Sequence, residues 1–129
     1  METLKKYRGG LIALSACLAG EIPRRLRNGD YEGAKNYALE MQSIMGEGHF
    51  YLEVQDHGDL DEKRAMSGLL RISEETGIPV VLTNDAHYIR KEDAAMQDVL
   101  LCVQTGKTVD EENRMKFQTE EFYLKSEEE

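Results

Sequence analysis

Chemistry in this sequence concentrates in two short runs. Asp85 and His87 stand two residues apart in Leu82-Thr83-Asn84-Asp85-Ala86-His87-Tyr88, and Glu53 lies between Leu52 and Val54 in His49-Phe50-Tyr51-Leu52-Glu53-Val54. Side chains alternate along an extended chain, so an Asp-x-His pair on continuing strand backbone points one way and can hold a cation between an oxygen and an imidazole nitrogen. A lone carboxylate taken out of water costs several kcal/mol unless a cation or hydrogen-bond donors compensate it. Glu53 therefore has two readings: a ligand in a buried setting, or a side chain on an exposed alternate face of its strand. His57, in Gln55-Asp56-His57-Gly58, has three: a further nitrogen ligand, a substrate-phosphate contact, or a loop residue. His49 precedes its strand and reads as structural.

Other catalytic signatures are missing. Thr105-Gly106-Lys107-Thr108 looks like the end of a phosphate-binding loop, but Leu101 stands where that motif needs its first glycine and no strand precedes it. No Gly-x-Ser-x-Gly elbow is present. Cys17 and Cys102 lack a closely spaced second cysteine and electropositive neighbours, and read as reduced core residues. Metal-assisted hydrolysis is the catalytic reading that these residues encourage. In it an ion polarises a phosphoryl oxygen and lowers the pKa of bound water toward ~7.

The elements that must position these groups follow from hydrophobic spacing. Gly10–Ser15 suits a short buried strand and Ala16–Arg27 a helix ended by Asn28-Gly29. Asp30 is a candidate N-cap for a helix carrying Tyr31, Ala34, Ala38, Met41 and Met45 on one face until Gly46. His49–Val54 reads as a strand, Leu60–Thr76 as a helix with Ala65, Met66, Leu69, Leu70 and Ile72 on its stripe, and Pro79–Thr83 as a buried strand. Strand, helix, strand in that order predicts a parallel crossover in an α/β fold. In such folds functional groups gather at the C-terminal ends of the strands, where Asp85 and His87 fall. A last helix over Lys91–Thr105 closes at Gly106, and Val109–Glu129 is charged and weakly patterned apart from Phe122-Tyr123-Leu124.

The chain has 129 residues, a net charge of −9 and 40% hydrophobic residues, enough for one modest core. That charge argues against an autonomous nucleic-acid binder, and the short basic cluster Arg24-Arg25-Leu26-Arg27 reads as a solvated last helical turn. No apolar run approaches the roughly 20 residues that span a bilayer, and the start carries no apolar signal segment, so no membrane association and a cytoplasmic location are expected.

Five segments in order resemble the later part of the PHP (polymerase and histidinol phosphatase) domain of bacterial DNA polymerase III alpha subunits. They are Gly10–Pro23, Phe50–Gly58, Val81–Tyr88, Val99–Lys107 and Asn113–Phe117. The resemblance covers nearly the whole chain. It implies a partial (βα)7 barrel of parallel strands alternating with helices, with a cluster of zinc or manganese ions at the C-terminal strand ends. Glu53 matches the metal ligand of the family's Tyr-Leu-Glu motif, Asp85 and His87 match those of its Thr-Asn-Asp-x-His motif, and His57 matches a recurrent position of unassigned role. The activity implied is phosphoester hydrolysis, as a proofreading 3′–5′ exonuclease or in pyrophosphate removal, within a DNA-directed DNA polymerase that works with other polymerase III subunits and DNA. In some members the domain is mainly structural.

The family's opening His-x-His motif should lie upstream of Gly10, where only nine residues stand and none is histidine. The expectation is therefore a fragment, residues 1–129, of a longer polypeptide, with an incomplete metal site and negligible activity by itself. A non-catalytic scaffold module and a free-standing phosphatase of the histidinol-phosphatase type are the alternatives. Half a barrel leaves strand edges and apolar faces uncovered, so self-association of the isolated chain is also expected.

Overall fold

A computed structural model describes all residues, 1–129, and divides them into two compact units: residues 1–55 with 60–83, and residues 56–59 with 84–129. The first unit holds three strands, β1 (Ala13–Leu14), β2 (Phe50–Val54) and β3 (Val80–Leu82), and four helices, α1 (Glu2–Tyr7), α2 (Glu21–Arg27), α3 (Tyr31–Met45) and α4 (Leu60–Thr76). The sheet order is β1-β2-β3 and both pairings are parallel, with Ala13 opposite Phe50 and Glu53 opposite Val81. The expected α/β alternation and parallel crossover are present. No helix is long and apolar enough to cross a membrane.

β2 is bonded on both edges, and its alternation is strict. Phe50, Leu52 and Val54 are buried, while Tyr51 and Glu53 on the other face are half-buried. Burying side chains of this size stabilises by roughly 1.5–3 kcal/mol each. They join Ile22 of α2, Ala34, Ala38, Ile44 and Met45 of α3, Leu69 and Ile72 of α4, and Ile78 in one core. Met41 and Met66 pack against its margin, and Leu70, expected on the stripe of α4, is exposed.

The helices obey their local signals. Asp30 caps α3 by accepting from the Gly33 N–H at 3.0 Å, and Gly46 and Gly77, both at positive φ, follow the ends of α3 and α4. The expected first strand and helix are shorter than their apolar runs. Leu11, Ile12 and Leu14 are exposed and only Ala13–Leu14 pairs, because β1 is an edge strand whose ladder ends where Ser15 N–H reaches Tyr51 O. Ala16 then takes φ 65°, which ends regular backbone, and Gly20 turns the chain into α2. A Cβ at Gly20 would lie 2.4 Å from Ser15 O, so only glycine fits that turn. Helix α1 carries no buried residue, and its short, polar sequence gave no amphipathic signal to read.

The basic cluster is neutralised within the unit. Arg24 and Arg25 both bond Glu21, Arg25 also bonds Asp30 at 2.9 Å, and Arg27 meets Asp61 at 3.2 Å. A second set of charges links α3 to α4: Glu75 accepts from Lys35 Nζ at 2.7 Å and Arg71 Nε at 2.8 Å, and the Arg71 guanidinium lies 4.1 Å over the Tyr31 ring.

The second unit contains a 3₁₀ turn (Lys91–Asp93) running into α5 (Ala94–Thr105), which Gly106 closes in the left-handed conformation. The expected helix from Lys91 thus begins as a tighter turn, where Asp93 accepts from the Arg90 N–H at 3.0 Å. Leu101 and Cys102 are buried, whereas Met96, Val99, Leu100 and Val103 are exposed. Cys17, expected in the core of the first unit, is only half-buried. The tail holds no regular helix or strand, but Arg114 clamps Asp98 of α5 through two parallel bonds of 2.5 and 2.7 Å.

Lys35 and Arg71 hold the Glu75 carboxyl at about 2, below its ordinary 4.5. A depressed folded-state pKa gives stability that is present above the unfolded value and lost as pH falls through the folded one. Glu75→Gln is therefore expected to be less stable than the parent at pH 7, with the difference shrinking between pH 4.5 and 2 in urea denaturation series. A gap that persists unchanged at pH 2 would refute the linkage.

Candidate metal site

Glu53 stands on the non-core face of β2 and is neither bare to solvent nor unsatisfied. Its Oε1 accepts from Thr83 Oγ1 at 2.5 Å and from Gln55 Nε2 at 3.3 Å, and its backbone N–H donates to Ser15 Oγ at 2.8 Å. Gln55 Nε2 also donates to Thr83 Oγ1 at 3.0 Å. Parallel register produces this cluster. Ser15 follows β1, Gln55 follows β2 and Thr83 follows β3, so the ends of all three strands deliver a polar side chain to Glu53: Gln55 and Thr83 to its carboxylate, and Ser15 to its backbone N–H. Beside it lies a cavity of about 20 Å³ lined in part by Cys17, Glu53, Gln55 and Glu62, room for a single water.

Asp85 and His87 belong to the second unit, and the structure brings their side chains together by a different route from the one expected. Extended backbone does not continue from β3. Asp85 has φ 41°, a left-handed conformation that Asp tolerates better than most residues because its short polar side chain bonds locally. The turn folds Asp85 Oδ1 to 3.6 Å from His87 Nε2, with both side chains little more than a third exposed. That separation is too long for a direct hydrogen bond. It is close to the roughly 3.4 Å edge of a tetrahedron whose oxygen and nitrogen ligands both sit ~2.1 Å from a central zinc ion.

The turn is gripped by residues that spacing did not single out. Asn84 Nδ2 donates to Glu121 O at 2.8 Å and Tyr123 O at 2.7 Å, and the His87 N–H donates to Phe122 O at 2.8 Å. Tyr88 and Tyr123 form an isolated parallel bridge. Phe117 lies against the His87 ring, centroids 4.8 Å apart. The apolar run Phe122-Tyr123-Leu124 was the signal for this strap, but nothing local showed where it would dock.

His57 is 1% exposed, its Nε2 lies 2.8 Å from Asn84 O, and its ring stacks on Phe122 at 3.9 Å and 14°. A carbonyl only accepts, so Nε2 carries the proton and donates. His57 lies outside any helix or strand, as the loop reading has it, but it is packed in the interior, which none of the three readings expected. His49 is exposed, with Nδ1 3.0 Å from Glu47 O.

No group of three or more His, Cys, Asp or Glu side chains that could hold a metal ion is present. Glu53 engages donors of its own unit, and Asp85 with His87 brings one oxygen and one nitrogen to within 3.6 Å of each other. The residues of this chain do not by themselves fit a resident metal cluster.

Comparison with known proteins then decides the family. Residues 1–57 match the PHP domain family. The chain is 44% identical over 127 residues to a DNA polymerase III subunit alpha of Treponema pallidum, a match covering 98% of this chain and 11% of that protein. It is 44% identical over 128 residues to that of Borreliella burgdorferi, covering 99% and 11%. A subunit from Helicobacter pylori is 40% identical over 138 residues, again covering 99% and 11%. The chain belongs to the PHP domains of DNA polymerase III alpha subunits. It spans about a tenth of the length of these alpha subunits. Glu53 and His57 fall inside the matched PHP residues, and Asp85 and His87 follow them.

The left-handed turn has a measurable signature. Asp85→Gly is expected to be more stable than Asp85→Ala by about 1 kcal/mol, since a Cβ without a bonding side chain carries the full cost of positive φ. Chemical denaturation of the two variants checks this, and the reverse order would mean that the backbone there is extended.

Proposed function

We propose that the chain forms part of the alpha subunit of a bacterial replicative DNA polymerase, acting in the cytoplasm with the other polymerase III subunits and DNA. The observation that carries this reading is the 44% identity extending over 98% of the chain to an alpha subunit. Three parallel strands alternating with helices suit the later portion of a (βα)7 PHP barrel.

Within that barrel, Asp85 Oδ1 and His87 Nε2 are proposed to contribute one edge of a zinc or manganese site, with Glu53 as the ligand that the family motif suggests. The 3.6 Å gap between Asp85 and His87 supports the pair. Held there, such an ion would supply Lewis-acid polarisation and water activation for phosphoester hydrolysis, which we propose is 3′–5′ exonuclease proofreading. The chain's own contribution is to hold an oxygen and a nitrogen at tetrahedral spacing. With too few ligands gathered to assemble a multinuclear centre, the 129-residue chain alone is proposed to be inactive.

A second reading, a scaffold that braces the polymerase, is favoured by the satisfied Glu53 carboxylate, whose hydrogen bonds explain a half-buried charge with no metal. The two readings part in the full-length subunit. Asp85→Ala combined with His87→Ala is expected to lower metal-dependent 3′–5′ hydrolysis by about 100-fold or more while DNA synthesis continues, consistent with the loss of two ligands. An unchanged hydrolytic rate with reduced stability or assembly would support the scaffold instead. Rapid metal-dependent phosphoester hydrolysis by the isolated chain would overturn the proposal of an incomplete site.

The isolated chain is also proposed to self-associate, because Met96, Val99, Leu100 and Val103 leave an apolar face of α5 uncovered. Sedimentation velocity is expected to show species larger than a monomer, and a monodisperse monomer would count against it.

A further inference from the structure

We propose that the cavity lined by the start of α5 and the tail is a binding site for an uncharged, planar, hydrogen-bonding ligand of the nucleoside class. It stands independently of the metal reading, since Glu53, Asp85 and His87 are not among the residues that line this cavity.

The cavity measures about 350 Å³, and its whole wall belongs to the second unit. Small-molecule sites run from roughly 300 to 1,000 Å³. Two hydroxyls set the requirement that a ligand must meet. Tyr88 and Thr119 both line the cavity, and the hydroxyl oxygen of each is buried without a hydrogen-bond partner. Only three buried side-chain polar atoms of the chain lack a partner, and two of them belong to this wall. The Phe122 backbone N–H near the Tyr88 oxygen is itself a donor, so the hydroxyl proton has no acceptor. A buried hydroxyl left unpaired is costly, and a ligand that accepts from it recovers that cost as affinity.

Charge narrows the ligand. Arg114 and Asp98, both in the wall, neutralise each other through their two parallel bonds, and Lys116 and Glu120 add one charge of each sign. The wall therefore carries no net charge, which gives neither a free phosphate nor a bare cation an electrostatic advantage. A wholly apolar molecule would leave both hydroxyls unpaired. A neutral heterocycle satisfies both conditions: its carbonyl oxygens or ring nitrogens accept from hydroxyls, and its face stacks on aromatic rings. Tyr88 and Phe117 supply those rings. Phe117 is a fixed platform, with ring centroids 4.5 Å from Phe122 and 4.8 Å from His87.

The test titrates the whole 129-residue chain with adenosine and with thymidine, follows amide shifts by NMR, and uses inorganic phosphate as the control probe. Saturating shifts are expected at the Ala95 and Thr119 amides, with the Leu52 amide of β2 unmoved, and phosphate is expected to move none of them. Tyr88→Phe and Thr119→Val each remove one hydroxyl and keep the shape of the side chain. Neither hydroxyl has a partner to lose, so both variants are expected to be at least as stable as the parent in urea while binding nucleoside about 10-fold more weakly. A purely structural role for the hydroxyls gives the opposite pattern, lower stability with affinity intact. That pattern, the absence of a saturating shift with either nucleoside, or an equal response to phosphate alone would overturn the proposal.

Discussion

The parallel pairing of β2 on both its edges is the constraint on which the first unit depends. A parallel ladder needs a crossover between successive strands, and α2, α3 and α4 are those crossovers. Once β2 is central, its two-residue period sends Phe50, Leu52 and Val54 into the core and leaves Glu53 on the opposite face. The same register aligns the ends of β1, β2 and β3, so that Ser15, Gln55 and Thr83 converge on Glu53. The half-buried carboxylate is tolerated because Thr83, at the end of the neighbouring strand β3, and Gln55, at the end of its own strand, donate to it.

The second unit solves a different problem with less regular structure. Apart from α5 and its leading 3₁₀ turn it has no extended ladder, and its order comes from side chains that serve the backbone. Asn84 acts as a two-pronged donor to carbonyls that have no strand partner, and Arg114 fastens the tail to α5 through Asp98. An unmade bond to a buried peptide group costs more than a made one contributes. A single amide side chain serving two carbonyls therefore does much to hold the strap. The electrostatics follow the same economy: Arg24, Arg25 and Arg27 are each engaged by acidic partners of the same unit.

These features bear on how the candidate site residues are distributed along the polypeptide. The PHP match ends at residue 57, and the Asp85–His87 pair follows in a turn with its own supports. The turn that brings Asp85 and His87 together is held by hydrogen bonds and ring stacking that need no ion. Glu53 shows the complementary case of a motif carboxylate whose hydrogen bonds stabilise its charge in place of a cation.

What the sequence determined was the periodic part. The bounds of α3 and α4, their caps, the strand over Phe50–Val54 and the parallel crossover to β3 follow from spacing, N-cap chemistry and glycine stops, all of which act within a few residues. Asp85, His87 and Glu53 were legible as residue types at strand ends, and the family motifs were legible as strings. The shortness of β1, the left-handed turn at Asp85, the donors around Glu53 and the docking of Phe122 on His57 were decided by tertiary structure. The partners of β1 and Phe122, and Ser15 and Thr83 beside Glu53, lie 30 or more residues away in sequence; Gln55 is the local exception, and the turn is held by the distant strap. Local pattern fixes which face of an element is apolar, but which distant group meets it is set only when the chain has closed on itself.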